Sequence, residues 1–317
     1  MDFIRRFFGQ VQPADCDAGE LLAQPVGPDS LSLQLLLGDA LDLDPAGIIA
    51  SLRDYHPDMA DARCELDGMT QPYAEVDELI PDATVAPGLI GLVGWGRHMI
   101  QMIGIAAPMP ADVLWQSLQP AHIAPELKDR AAQHRCHLLL FYAGTESDRL
   151  EQYVALTALG AALAPFGCEF ILNEVGRSAI PVGMVLRDPE QADEDMLGVI
   201  RSMPLSLLFC GAVKIEIEQE PGIWLRTFGS ERLKLPDLAM HAASDEEARD
   251  VFYLLANLLA YLRETDHRFT VGSTLEVGKD RYLRVRAPQE SEASFLSSET
   301  ELLVIEPMHA SDIREPS

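Results

Sequence analysis

Leu31, Leu33, Leu35 and Leu37 alternate with Ser32, Gln34 and Leu36, the two-residue period of a strand. Asp44 followed by Pro45 is an N-cap with proline in the first helical turn, and predicts a helix to about Tyr55, stopped before Pro57. Ala62 to Leu66 reads as a short strand. Residues 67–88, with Pro72, Pro81 and Pro87, read as a long loop. Leu89 to Ile105 is apolar and broken by Gly91, Gly94, Gly96 and Gly104, which predicts two strands around a turn at Gly94, Trp95 and Gly96. Pro110 to Leu118 and Pro125 to His134 read as helices, and Cys136 to Ala143 as a buried strand. Thr145 to Asp148 approximates a capping box ahead of a helix from Arg149 to Ala164.

Cys168 to Asn173 and Ile180 to Leu186 read as further strands, and Asp188 with Pro189 as the cap of a helix to Met203. Strands are then expected over Leu207 to Glu218 and Gly222 to Phe228. The strongest helical signal follows. Ser244 and Glu247 fit a capping box, and Val251, Leu254, Leu255, Leu258, Leu259 and Leu262 form one i, i+3, i+4 stripe. Phe269 to Val277 and Tyr282 to Arg286 read as a hairpin joined through Gly278 to Asp280. Interleaved strands, helices and hairpins predict an α+β fold, with antiparallel or mixed sheets and helices packed on one face. The order strand, helix, strand, strand, helix, strand suggests two ferredoxin-like units. The expected division is 1–27 as an amphipathic segment and linker, 28–187 as one α+β unit, 188–288 as a second, and 289–317 as an acidic tail.

The opening segment places Phe3, Ile4, Phe7, Phe8 and Val11 on one helical face, suited to docking on its own domain, a partner or a membrane. Residues 287–317 read as a poorly ordered tail apart from Leu302 to Ile305. With so little apolar core, its removal is expected to leave folding intact.

The chain has 317 residues, 48% hydrophobic and 23% charged, enough to bury a full core without disulfides or metals. Five scattered cysteines, an odd number without paired spacing, predict reduced thiols and a cytoplasmic setting. No apolar run reaches the ~18 residues of a membrane-spanning helix, and the N-terminus lacks the apolar stretch of a secretory signal. The formal net charge is −26. Residues 1–87 hold 17 acidic side chains against 4 basic, and residues 287–317 hold 7 against 1. Such a field opposes nucleic-acid binding and attracts basic proteins; it also serves solubility.

Leu225, Arg226, Thr227, Phe228 and Gly229, followed by Leu235, Pro236, Asp237 and Leu238, resemble the signature of bacterial proteins grouped as domain of unknown function 4261. Ala256 to Leu262 and Gly272 to Leu275 resemble that family's C-terminal pattern. The resemblance covers about Trp224 to Arg286. It implies an intracellular bacterial protein and carries over no catalytic residue.

Candidate chemistry is sparse. His134, Arg135, Cys136 and His137 form the densest ligand-like cluster, but adjacent strand residues point to opposite faces, so Cys136 and His137 cannot readily share an ion. Gly91, Gly94 and Gly96 lack the spacing and the following capped helix of a dinucleotide loop. P-loop, G-x-S-x-G and H-E-x-x-H motifs do not occur in the sequence. No metal or cofactor is expected. Arg97 and His98 near one turn, and Asn173, Glu174 and Arg177 after a strand, are polar groups at strand ends, where an acid–base pair of His98 and Glu174 would need contact. Trp224, Arg226 and Arg232 are residue types enriched in interface hot spots and, if exposed, would mark a partner surface. Two functions follow. The first is non-enzymatic protein binding of an adaptor or immunity type, with a basic partner. The alternative is an enzyme or small-molecule-binding protein with a site at strand ends. A flat acidic face with exposed aromatics favours the first; a pocket joining His98 and Glu174 favours the second.

Overall fold

The structure, a computed structural model, describes residues 29–68, 88–188, 194–218, 221–278, 281–298 and 300–308, with residues 24, 26, 27 and 190. The opening amphipathic segment, most of the linker, residues 69–87 of the expected loop and the last nine residues lie outside the described residues. The chain divides into two units. One comprises Met1–Gln119, Ile123–Glu174 and Ala179–Met203; the other comprises Pro120–His122, Val175–Ser178 and Pro204–Ser317.

The first unit carries β1 (Ser32–Leu37), α1 (Pro45–Tyr55), β2 (Arg63–Gly68), β3 (Leu89–Trp95), β4 (His98–Ile105), α2 (Ala111–Leu118), α3 (Pro125–Ala131), β5 (Cys136–Tyr142), α4 (Arg149–Ala162), β6 (Cys168–Asn173), β7 (Ser178–Pro181) and α5 (Met196–Ser202). The sheet order is β2-β3-β4-β5-β1-β6-β7. β1 pairs antiparallel with β5 and β6, and the pairs from β2 to β5 are also antiparallel, so the crossovers β1-α1-β2 and β5-α4-β6 both join strands that run in the same direction. Two interleaved crossovers are the ferredoxin-like arrangement, here widened by β3 and β4.

Register assigns the faces. Leu33 pairs with Leu140, Leu35 with Ile171 and Ile100 with Tyr142, so these side chains share one face with His98. α4 packs on that face: a Cβ on Gly160 would lie 2.9 Å from both Leu35 and Ile171. Twelve of its fourteen residues are buried, as expected of a helix apolar all round. Arg149 and Glu151, near its first turn, remain partly accessible.

Several local expectations hold in detail. The Asp44 side chain accepts from Gly47 N–H at 2.7 Å, with proline in the first turn. Others shift. The cap of α4 is Asp148, which accepts from Leu150 N–H, while Glu146 accepts from Ser147 and Asp148 N–H and fixes the approach. The strand expected over Ile180 to Leu186 ends at Pro181 and continues as a 3-10 turn. The helix expected after Asp188 starts at Met196, because Asp195 supplies the cap to Gly198 N–H.

The second unit carries α6 (Leu205–Leu208), β8 (Gly211–Ile215), β9 (Ile223–Phe228), β10 (Asp237–Ala242), α7 (Asp245–Thr265), β11 (Thr274–Gly278), β12 (Arg281–Arg286), α8 (Ala293–Leu296) and β13 (Leu302–Met308). The strand expected from Leu207 is thus a helical turn after Pro204 followed by β8. Residues 269–273 do not join β11, because Ser273 N–H bonds Thr270 and Gly272 takes φ +94°. The sheet order is β11-β12-β13-β10-β9-β8. It is two antiparallel meanders joined by the parallel pair β10 and β13. α7 packs against β9 and β10. Ser244 accepts from Glu247 N–H, and Val251, Leu255, Leu258, Leu259 and Leu262 are buried.

The tail expectation is corrected here. β13 lies mid-sheet, its Leu302 to Ile305 side chains buried. The acidic residues around it are not all solvated. Arg286 binds Glu292 and Glu306, and Arg284 binds Glu306 at 2.9 Å. These ion pairs offset the charge that made the segment read as disordered.

Candidate functional site

The interface residues expected from sequence fall into the second unit's interior. Trp224 is 9% exposed and packs with Ala239, Leu296, Leu302 and Val304. Its ring lies 5.6 Å from Phe295. Arg226 is 5% exposed, donates to the Ser297 carbonyl at 2.8 Å and lies over the Phe228 ring. The segment read as a tail therefore covers both residues. Arg232 is half-buried beside Glu231, with 3.6 Å between Nε and Oε1. Trp224 and Arg226 lack the exposure that a partner surface requires.

β10 begins with a buried carboxylate, Asp237. It accepts from Thr227 Oγ1 at 3.3 Å, from Ser230 N–H at 3.2 Å and from Thr300 Oγ1 at 3.4 Å. Burial pushes its carboxyl up to about 6, against the opposing pull of Ser230 and the Arg226 charge.

The concave site lies in the first unit. Trp95, Gly96, Arg97 and His98 from the β3–β4 hairpin, Asp58 after α1, Glu146 before α4, Glu151, Val154 and Ala155 on α4, and Leu197 and Arg201 on α5 enclose about 180 Å³. The hairpin turns through Gly96 and Arg97, with Gly96 at φ +50°, a conformation glycine adopts without a Cβ penalty. Gly96 N–H is held by Asp61 at 3.1 Å.

His98 Nδ1 lies 3.1 Å from Tyr142 Oη, and that oxygen accepts from Glu146 N–H at 3.3 Å. Burial pushes the tyrosine hydroxyl up to about 12, so it keeps its proton and can donate it to Nδ1. The His98 side chain lines the cleft. Burial also holds His98 below its ordinary pKa, although Glu146 and Glu151 pull the other way. A close backbone approach supports the arrangement. A Cβ on Gly144 would lie 2.6 Å from Tyr142 Oη and from the Arg97 carbonyl. Glu146 sits below its ordinary value because Asp148 and Ser147 N–H bind it. Arg201 and Glu151 pair at 2.7 Å.

Glu174 is not part of this site. It accepts from Gln34 at 3.1 Å, and Gln34 lies on the face opposite Leu33 and Leu35, hence opposite His98. The sheet separates the two members of the expected acid–base pair. Sequence reading missed Tyr142, Glu146, Glu151 and Arg201. Glu151 carried a usable signal: an acid in the first turn of an otherwise apolar helix.

The ligand-like cluster is satisfied internally. His134 uses both ring nitrogens, Nε2 with Met109 N–H at 2.7 Å and Nδ1 with the Ala131 carbonyl at 2.8 Å. His137 Nδ1 bonds Ala107, and the Cys136 thiol donates to Asp39. Among the described residues no group of three or more His, Cys, Asp or Glu is placed to hold a metal ion, and no helix is long and apolar enough to cross a membrane.

Residues 226–306 match the family described as Domain of unknown function (DUF4261). The C-terminal part of the chain is similar to that family. The match spans β9 to β13 and takes in 81 of the 317 residues, so it includes α7 and the buried Asp237 but not the cleft. No curated protein and no solved structure matches the chain.

Proposed function

We propose that the chain is a non-enzymatic protein-binding protein of the adaptor or immunity type, engaging a basic partner through the outer face of α7. One observation carries this reading. At 100° per residue, Glu246, Asp250, Tyr253, Asn257, Tyr261 and Glu264 form one stripe opposite the buried leucines, and all six are exposed. Tyr253 is 57% and Tyr261 40% exposed, large aromatic surfaces on a helix whose other face is fully used. The stripe contains three carboxylates and no basic side chain; Arg249 flanks it. Tyrosine supplies contact area at low entropic cost and stacks with Arg or Lys, and the carboxylates complement the same groups.

The net charge of −26 supports a basic partner and argues against nucleic acid. Four free cysteines among the described residues support a reducing, cytoplasmic setting. The cleft does not bring His98 to Glu174, which removes the acid–base pair that the enzymatic reading relied on.

The test is quantitative affinity capture from lysate of the native host with two baits, the wild-type chain and Tyr253→Ala/Tyr261→Ala. Both side chains are exposed, so the two baits should melt alike. The reading predicts a basic protein retained by the first bait and lost from the second. Capture profiles that do not distinguish the baits, or a distinguishing partner that is acidic, refute it.

A further inference from the structure

α4 fills the face of the first sheet that carries Leu33, Leu35 and Ile100. Register puts Ile90, Leu92, Gln101, Leu139 and Phe141 on the other face. Ile90 and Leu92 are buried, so this second face is covered as well. Leu139 and Phe141 are half-buried. Gln101, among them, is 4% exposed, and its Nε2 has no hydrogen-bond partner.

The two ends of this face are accounted for. At the start of β5, His137 donates to the Ala107 carbonyl at 2.8 Å. At its far end, Gln24 N–H donates to the Ala143 carbonyl at 2.7 Å. Val26 there packs on Leu92, Met99 and Ala143. Residues 1–23 therefore lead directly onto this face, and they include the amphipathic stripe of Phe3, Ile4, Phe7, Phe8 and Val11.

We propose that the second face of the first sheet is the docking surface of the chain's own opening segment, residues 3–11. Size, reach and charge agree. Nine residues make a helix of ~13 Å, and the four strands β2 to β5 span ~14 Å at ~4.8 Å spacing. Thirteen peptide steps separate Val11 from Gln24, a reach of up to ~43 Å at ~3.3 Å per residue. Glu65 pairs with Leu92 and Asp67 with Ile90, so two exposed carboxylates edge this face, against one basic side chain, Arg63. Arg5 and Arg6, off the apolar stripe, complement them. Residues 69–87 also border β2 and β3 in sequence, but they carry Glu75, Asp77, Glu78 and Asp82 and no basic side chain, which sets like charge against that edge. The free carbonyls at the end of a short helix suit the unpartnered Gln101 donor. The docking surface lies within the first unit and does not depend on the α7 reading.

The test is hydroxyl-radical footprinting read by mass spectrometry on the full chain, on a free peptide of residues 1–15 and on the chain lacking residues 1–12. In the unaltered chain Phe7 and Phe8 oxidise several-fold more slowly than in the peptide, equally at low and high protein concentration. Removing residues 1–12 raises oxidation of Phe141 and Met99 several-fold and leaves Met102, on the α4 face, unchanged. The peptide added in trans restores protection to the truncated chain. Should Met102 change too, the truncated chain is misfolded, and Phe7 and Phe8 in the unaltered chain decide. Oxidation of Phe7 and Phe8 at the rate of the free peptide overturns the proposal. Protection that appears only at high concentration assigns the segment to a second copy, and protection that needs anionic vesicles assigns it to a membrane; either overturns it. So does unchanged oxidation of Phe141 and Met99 in a truncated chain that remains folded, which assigns the cover to another segment.

Discussion

Asp237→Asn tests the energetics of the second unit. The side chain is 3% exposed, and its carboxyl is pushed from 3.8 to about 6 by burial. A raised carboxyl pKa means that the folded state holds the proton more tightly than the unfolded state. Between about pH 4 and pH 6 the folded chain therefore binds more protons, and stability falls as pH rises through that window. At ~1.36 kcal/mol per unit the loss totals about 3 kcal/mol, complete above pH 6 and absent below pH 4. Asparagine keeps an acceptor oxygen for Thr227 and Ser230, and its amide can donate to Thr300. Exchanging charge-assisted for neutral hydrogen bonds returns about 1 kcal/mol. The variant should then be more stable than wild type by about 2 kcal/mol at pH 7.5 and no more stable at pH 4. His98, His134 and His137 lie below their ordinary values through burial and act in the opposite sense, destabilising the fold as acid charges them. The difference between variant and wild type cancels their contribution. Urea titrations read by hydrogen exchange in peptides spanning 223–242 follow the second unit by itself. If burial is instead compensated by Arg226, removing the carboxylate strands a buried cation and costs ~3–5 kcal/mol. A destabilised variant at pH 7.5, or an unchanged pH dependence, refutes the reasoning.

Four further outcomes follow from the packing. Gly144→Ala brings a Cβ against Tyr142 Oη and should cost ~1–3 kcal/mol, measured as a lowered urea midpoint; an unchanged midpoint contradicts the close approach. The His98 imidazole should titrate below 6.5 by NMR, and a midpoint at or above that value contradicts its burial. Leu255→Asp or Leu258→Asp places an unpaired carboxylate beneath α7 and should abolish soluble folding, whereas normal thermal unfolding refutes the placement. Truncation before residue 287 removes β13 from between β12 and β10 and uncovers Trp224; the second unit should lose its protection from hydrogen exchange, and a retained native pattern refutes its central role.

The parts of the fold that were legible in the sequence are those fixed by local rules. The capped starts of α1 and α7, the alternation in β1, and the apolar runs of β5 and β6 each need only their own residues to be read. What failed depended on distant partners. Of β13 only Leu302 to Ile305 stands out in the sequence, because Glu292 and Glu306 look solvated until Arg284 and Arg286 are placed opposite them. β10 was not read as a strand: it opens on a carboxylate after Pro236, and Asp237 is accommodated there only because Thr227, Ser230 and Thr300 donate to it. His98 and Glu174 both stand at strand ends, and that is all the sequence offers to pair them. The face on which each side chain emerges is set by register across β4, β5, β1 and β6, and single-strand patterns do not contain it. Trp224 and Arg226 misled for a related reason, since their cover comes from residues 293–297, some seventy positions later.

The central claim is that α7 presents an acidic, aromatic surface to a basic partner. Its most direct test is the association rate of the captured partner as a function of salt, for wild type and for Tyr253→Ala/Tyr261→Ala. Electrostatic steering predicts a wild-type rate that falls steeply as ionic strength screens the field, the Debye length shrinking from ~30 Å at 0.01 M to ~8 Å at 0.15 M. The double variant should keep that salt dependence, because its carboxylates remain, yet dissociate at least about tenfold faster because the aromatic contacts are gone. A salt-independent association rate, or a dissociation rate unchanged by loss of both tyrosines, would contradict the claim.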